Sequence, residues 1–168
     1  MEQKHRSFEI ALKKGALGEQ IVKDYLEEKG WVVYCPFTKD KAHYFDMLAT
    51  YTKEKVVAFD IKTKARLNKW NAQGIDKKHY DQYMMFIEKT NVPFWLIFID
   101  DKNGNVHALE LEKAKNGFTP GSATHIIAWE IPNMTYLFNI GNENITKLSE
   151  FDQRNYTYNP QTTLEING

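Results

Sequence analysis

An uninterrupted apolar run at residues 93–99 constrains the fold more than any other feature of the sequence. A strand that is apolar on both faces is typical of the covered interior of a sheet. The segment before it, residues 75–90, has helical periodicity and Asp76 at a capping position. Its apolar face is formed by Tyr80, Tyr83, Met84 and Ile87. A helix that leads into a buried strand is typical of a crossover between parallel strands.

Three further segments, residues 31–34, 45–52 and 56–64, are rich in β-branched and aromatic residues and are predicted as strands. The short polar link at residues 53–55 predicts that the last two form a hairpin. A sheet with both a hairpin and a crossover contains antiparallel and parallel pairs, so we expect it to be mixed.

A long helix is predicted at residues 7–29, with Ser7 as its cap and Gly30 at its end. Inside it stand Gly15 and Gly18, each of which costs about 1 kcal/mol relative to alanine. Two such glycines indicate either a close approach to another element or a break in the helix.

The remaining elements are expected to be a turn at 101–104, a strand at 105–111, a loop at 117–122, a strand at 126–131 and a short helix at 146–151. The 168 residues, of which 42% are hydrophobic, suffice for one domain with a sizeable core. We expect an α/β domain over residues 1–168, with a central mixed sheet flanked by helices in the order α-β-β-β-α-β-β. Its core would span about 7–113, followed by a C-terminal extension at 114–168.

The formal net charge of the chain is zero, but the charges are unevenly distributed. Residues 53–78 carry eight basic and three acidic side chains, whereas residues 79–168 carry six basic and eleven acidic ones. The basic segment is either a solvated face or a surface that contacts phosphate. The candidate phosphate contacts are Lys64, Arg66, Lys69, Lys77 and Lys78.

The triplet Asp60, Ile61 and Lys62 falls on the third predicted strand. Because side chains alternate along a strand, Asp60 and Lys62 share a face, roughly 6–7 Å apart, while Ile61 points to the buried face. Such triplets are common by chance. Asp46 on the preceding strand supports a functional role for this triplet, because the hairpin can bring the carboxylates of Asp46 and Asp60 side by side.

Two adjacent carboxylates repel each other and resist burial, which a divalent cation between them would relieve. Oxygen ligands suit magnesium. Such an ion can activate a water and neutralise charge on a phosphodiester, and Lys62 can orient or deprotonate that water. Glu19, which borders the apolar stripe of the first helix, has either a local partner or a role as a further ligand.

These motifs resemble those of the PD-(D/E)XK nuclease superfamily, in particular the archaeal-type Holliday junction resolvases and their phage relatives. In that group a Gly-Glu pair on the first helix, an aspartate at the second strand and an acidic-x-Lys triplet recur, and here they are found at Gly18 and Glu19, at Asp46 and at residues 60–62. The resemblance covers about residues 9–100 and implies a restriction-endonuclease-like core. The proline of the family name is absent, because Phe45 precedes Asp46.

The resemblance implies a deoxyribonuclease that depends on Mg²⁺ or Mn²⁺. Glu19, Asp46, Asp60 and the Ile61 carbonyl would be metal ligands, and Lys62 would complete the catalytic set. The partner would be DNA, and resolution of a junction would need two active sites and hence a homodimer. Resolvases usually carry more basic residues than this neutral chain, so the structure of the DNA substrate stays open.

Three alternatives remain: a restriction- or toxin-type nuclease of the same fold, a non-catalytic DNA-binding or assembly module, and a small-molecule-binding α/β domain. The intact set of acids and Lys62 argues against the second. The lack of a glycine-rich phosphate loop argues against the third.

Two other residues carry expectations. Cys35, the single cysteine, lies in an apolar run and is expected to be buried, in a reducing compartment. Trp70 either stacks on an unpaired base or covers the edge of the core. The sequence shows no signal-peptide pattern and no apolar run of bilayer length, which predicts a cytoplasmic protein without a membrane partner.

Overall fold

The computed structural model describes residues 2–36, 43–67, 69–114 and 117–151. Its elements, in chain order, are α1 (Glu2–Glu28), β1 (Val32–Tyr34), β2 (Met47–Thr52), β3 (Lys55–Thr63), β4 (Ala72–Asp76), α2 (Lys77–Thr90), β5 (Phe94–Ile99), β6 (Asn105–Glu110), β7 (Ile126–Glu130), a 3-10 turn (Ile131–Asn133), β8 (Thr135–Asn139) and α3 (Gly141–Ser149). None of the described helices has the length and apolar character needed to cross a bilayer.

Within the described residues, six strands form one sheet in the order β1-β2-β3-β5-β6-β8. The neighbours β3 and β5 run parallel, and the other pairs are antiparallel. The chain passes from β3 to β5 through β4 and α2. The predicted α/β class, the mixed sheet, the hairpin and the crossover are therefore confirmed.

Alternate residues of the central strands pack into two apolar layers, one on each face of the sheet. Phe59 and Ile61 of β3 belong to a cluster that α1 covers through Val22 and Leu26. Ala58 of β3 belongs to a second cluster, together with buried residues of β5, α2 and β7: Phe94, Leu96, Phe98, Tyr83, Ile87 and Trp129. The sheet thus separates the two layers, as expected for central strands that are apolar on both faces.

The strand β4 was not predicted, because Ile75 was assigned to the helix. It pairs with β7 in a second, two-stranded antiparallel sheet. The two backbones approach so closely that a Cβ added at Gly74 would lie 2.9 Å from the Ile127 carbonyl oxygen. The helix begins only at Lys77, after Asp76 in an extended conformation at the predicted cap position.

The first helix differs from its prediction at one end. It begins at Glu2, so Ser7 lies within the helix and is not its cap, and it continues without a break to Glu28. A Cβ at Gly18 would overlap the Thr63 side chain of β3. The alternative of a close approach is therefore confirmed for Gly18, and the alternative of a break is wrong.

The C-terminal part contains more structure than predicted. The strand β8 was missed, and α3 begins at Gly141, five residues before the predicted start of the last helix. Residues 152–168 of the predicted extension lie outside the described part of the chain. The expectation that Cys35 is buried was wrong, since its side chain is exposed beside the edge strand β1.

Candidate active site

The hairpin ladder ends where the candidate acids lie. The last paired residues of β2 and β3 are Met47 and Phe59. Asp46 precedes β2, and its backbone N–H donates to the Phe59 carbonyl at 2.9 Å. The Ile61 N–H of β3 then donates to Asp46 Oδ2 at 2.6 Å. The fold thereby fixes the Asp46 carboxylate against β3, beside Asp60.

Asp60 is a buried carboxylate, only 5% exposed. Lys62 Nζ lies 2.6 Å from its Oδ2. The two side chains share one face of β3, and Ile61 packs into the opposite layer under α1, as strand alternation requires. Lys62 is thus held directly over the acid by the geometry of the strand.

Glu19 of α1 interacts electrostatically with Asp60 and Lys62. The contact between Gly18 and Thr63 sets the helix against the end of β3. Burial raises the pKa of the half-buried Glu19 carboxyl, the charge of Asp60 raises it further, and Lys62 lowers it. The three residues therefore share one electrostatic environment.

The pKa of Asp46 is raised more strongly, to about 7. Burial is the main cause, and the charges of Asp60 and Glu19 add to it, whereas the Ile61 N–H and Lys62 act in the opposite direction. The fold therefore holds several acids together against their mutual repulsion, which is typical of functional sites.

The donor set fits a divalent cation with few protein ligands. In the described ranges, no three His, Cys, Asp or Glu side chains surround a common point closely enough to hold an ion by themselves. Mg²⁺ commonly uses one or two carboxylates and retains several waters, whereas zinc takes three or four side chains. The adjacent carboxylates of Asp46 and Asp60 fit the first pattern. The buried Asp60 Oδ2 has Lys62 Nζ at 2.6 Å, so the lysine holds the negative charge that a divalent cation would share.

One residue beside the candidate acids, Tyr83 of α2, was not predicted from the sequence as part of the site. Tyr83 of α2 stacks on Phe94, with ring centroids 4.5 Å apart, and its hydroxyl lies in the field of the Asp60 carboxylate. Burial and the charge of Asp60 raise the pKa of this hydroxyl. Helical periodicity placed Tyr83 on the core face correctly. A buried tyrosine hydroxyl needs a polar partner, and this was the signal that could have linked it to the site.

The candidate phosphate contacts do not form one group. Lys64 is half-buried, and its ammonium donates to the Gly74 carbonyl of β4. Burial and the neighbouring Lys62 lower its pKa. This placement departs from the expectation of a phosphate contact, because the side chain is turned inward to join β3 to β4.

The other four basic residues lie at the two ends of β4. Arg66 and Lys69 are exposed before it begins, and Lys77 and Lys78 are exposed in the first turn of α2 after it ends. Five strand residues separate the two pairs, a span of roughly 16 Å.

Comparisons with known proteins identify the fold. No family model matches the sequence, and no curated protein matches it. Among solved structures, the chain is similar to Hjc, a Holliday junction resolvase of the archaeal hyperthermophile Archaeoglobus fulgidus. The likeness has a TM-score of 0.55 at 9% identity and covers 73% of this chain and 95% of the resolvase chain. The two chains therefore share a fold over nearly the whole length of the resolvase.

Proposed function

We propose that this chain is a metal-dependent DNA endonuclease of the PD-(D/E)XK type that acts on branched DNA, as a Holliday junction resolvase does. The observation that carries the proposal is the placement of Asp46 and Asp60 at the end of the β2–β3 ladder, with Lys62 Nζ 2.6 Å from Asp60. The shared fold with Hjc supports it.

Asp46 and Asp60 would hold Mg²⁺ or Mn²⁺ directly, together with the Ile61 carbonyl and water, and Glu19 would complete the set through a water of the ion. When bound, the ion supplies a Lewis acid that lowers the pKa of a water and neutralises charge on the phosphodiester. The Ile61 N–H fixes the Asp46 carboxylate in place, so that little reorganisation is needed when the substrate arrives.

Lys62 is the proposed catalytic cation. Asp60 holds its ammonium at the site, and its half-buried side chain leaves it open to substrate. From that position Lys62 can orient the attacking water and stabilise the negative charge that develops on the phosphate oxygens.

The DNA backbone would contact Arg66, Lys69, Lys77 and Lys78. The two pairs, one at each end of β4, can bind phosphates several nucleotides apart. In this proposal Lys64 has a structural role, because its ammonium donates a hydrogen bond to the Gly74 carbonyl. A junction has two strands to cut, so the resolvase reaction would require a homodimer.

The test is cleavage of labelled linear duplex, flap, single-stranded and four-way-junction DNA with Mg²⁺, Mn²⁺ or chelator. The wild type is expected to cut at least one of them only with metal, and Asp60→Asn is expected to lose that activity. Asp81→Asn, an exposed acid on α2, is the matched control and should cut normally. Metal-independent cutting, or full activity of Asp60→Asn, would refute the proposal. Tight binding of DNA without any cutting would favour the non-catalytic DNA-binding module.

A further inference from the structure

A cavity outside the candidate active site lies beyond the carboxyl ends of the parallel strands β3 and β5. Its volume is about 600 Å³, and the segment after β3 and the turn after β5 line it. Crevices at this edge of α/β sheets commonly bind ligands, and pockets of roughly 300–1,000 Å³ accept molecules of nucleotide size.

The lining of the cavity is cationic. Arg66, Lys69 and Lys102 contribute positive charge, although Lys102 Nζ lies 3.9 Å from Asp101 Oδ1, and the carboxylate that faces them, Asp100, is 2% exposed. Asp100 Oδ2 lies 3.1 Å from Arg66 Nε, so its charge is engaged by the arginine. The cavity therefore favours an anionic ligand.

Arg66 is held in position before any ligand arrives. Its Nη1 donates to Asn71 Oδ1 at 3.0 Å, in addition to the contact of Nε with Asp100. Two backbone hydrogen bonds hold the loop between β3 and β4. The Leu67 N–H donates to the Ala72 carbonyl, and the Trp70 N–H donates to the Leu67 carbonyl. Such preorganisation lowers the entropic cost of binding.

Trp70 forms the aromatic wall of the same cavity and is 45% exposed. Its ring contacts Phe118 on one side, with centroids 5.3 Å apart. An indole exposed among cations combines the two elements that single-stranded nucleic acid recognises, which are a stacking surface for a base and positive charge for the backbone.

We propose that this cavity binds an unpaired nucleotide of the DNA substrate, with its base stacked on Trp70 and its phosphate bound by Arg66 and Lys69. The inference rests on the proposed nuclease function and deepens it. Arg66 lies four residues after Lys62, so their Cα atoms are at most about 14 Å apart. One strand can therefore contact both, and among branched DNAs the preferred substrate is one that carries unpaired nucleotides beside the cut, such as a flap.

The experiment measures binding, in the Asp60→Asn background with chelator, so that the DNA stays intact. The probes are a labelled duplex, the same duplex with an unpaired flap, and the flap strand alone. Trp70→Leu keeps apolar bulk against Phe118 but removes the aromatic face. We expect it to weaken binding of the flap and the single strand about tenfold or more, and to leave the paired duplex nearly unchanged.

Two variants control for folding and for general surface effects. Trp70→Phe retains an aromatic face and should bind the flap nearly as well as the parent protein. Tyr51→Leu removes an aromatic side chain that is 63% exposed on β2, away from the cavity, and should have no effect. Thermal unfolding of each variant shows whether the fold is intact.

Equal loss of affinity for paired and unpaired DNA in Trp70→Leu, or no loss for either, would overturn the inference. If the wild type still cuts DNA with Mg²⁺ in that case, the nuclease proposal survives without it. If the wild type neither cuts nor binds any probe, the proposed function itself fails and the inference fails with it.

Discussion

At the scale of single residues, the candidate site depends on backbone and side-chain contacts that a motif does not contain. The sequence pattern correctly predicted that Asp60 and Lys62 share a strand face. It did not predict that Asp46 stands before its strand and accepts a hydrogen bond from the Ile61 N–H, because that contact depends on where the hairpin ladder ends.

Tyr83 is expected to position Asp60, so Tyr83→Phe should lower kcat about tenfold or more and leave KM nearly unchanged. The phenylalanine keeps the ring stacked on Phe94 but removes the hydroxyl that interacts with the Asp60 charge, and hydrogen bonds to charged groups are worth about 1.5–3 kcal/mol. Steady-state kinetics on the preferred DNA measures both constants. Tyr80→Phe, at a half-buried position of the same helix, is the control. An unchanged kcat in Tyr83→Phe would remove Tyr83 from the site.

At the scale of elements, the predictions succeeded where apolar periodicity is strong and failed where it is interrupted. The strands β2, β3 and β5 lie within one or two residues of their predicted bounds. The short strand β4 was not predicted because Gln73, Gly74 and Asp76 interrupt its apolar pattern. Gln73 and Gly74 are nevertheless buried, since β4 pairs with β7. Such a strand is specified by its partner, which lies 50 to 58 residues further along the chain, and local propensity cannot show it.

The packing of α1 on β3 can be tested with its two glycines. Gly18→Ala would place a Cβ against Thr63 and 3.3 Å from Ile99 Cδ1, so α1 must shift away from β3. We expect a loss of stability of about 1–3 kcal/mol, together with reduced activity because Glu19 moves with the helix. Urea unfolding measures the stability.

Gly15→Ala is the matched control on the same helix. Its nearest neighbour would be Glu19 Oε1 at 3.9 Å, an ordinary contact. Alanine should therefore raise stability by up to about 1 kcal/mol through helix propensity alone. A Gly18→Ala protein as stable as the Gly15→Ala protein would contradict the close contact between α1 and β3.

At the scale of the whole molecule, the four exposed candidate phosphate contacts lie in two pairs, one at each end of β4, although they belong to one basic segment of the sequence. The charge count located the basic segment, residues 53–78, but it could not separate the inward Lys64 from the exposed Arg66 and Lys69. That distinction depends on the position of β4, which the sequence pattern did not reveal.

The salt dependence of DNA binding should distinguish basic residues that contact phosphate, Arg66 and Lys69, from Lys64, which does not. Arg66→Met and Lys69→Met together should make the slope of log K against log salt shallower by about 1–2, since each phosphate contact contributes about 0.7–0.9. Lys64→Met should leave the slope unchanged, because its ammonium is bound to the Gly74 carbonyl. Titrations at several salt concentrations measure the slope. A shallower slope in Lys64→Met would show that Lys64 contacts phosphate after all.

Binding of Mn²⁺ to the DNA-free protein, measured by calorimetry, tests the proposed active site most directly. We expect binding in the wild type, loss of that binding in Asp60→Asn and no change in Asp81→Asn. Lys62→Ala should retain the ion, because the lysine acts on the substrate and not as a ligand. Equal affinity of the wild type and Asp60→Asn for Mn²⁺ would show that the carboxylate pair of Asp46 and Asp60 is not the metal site.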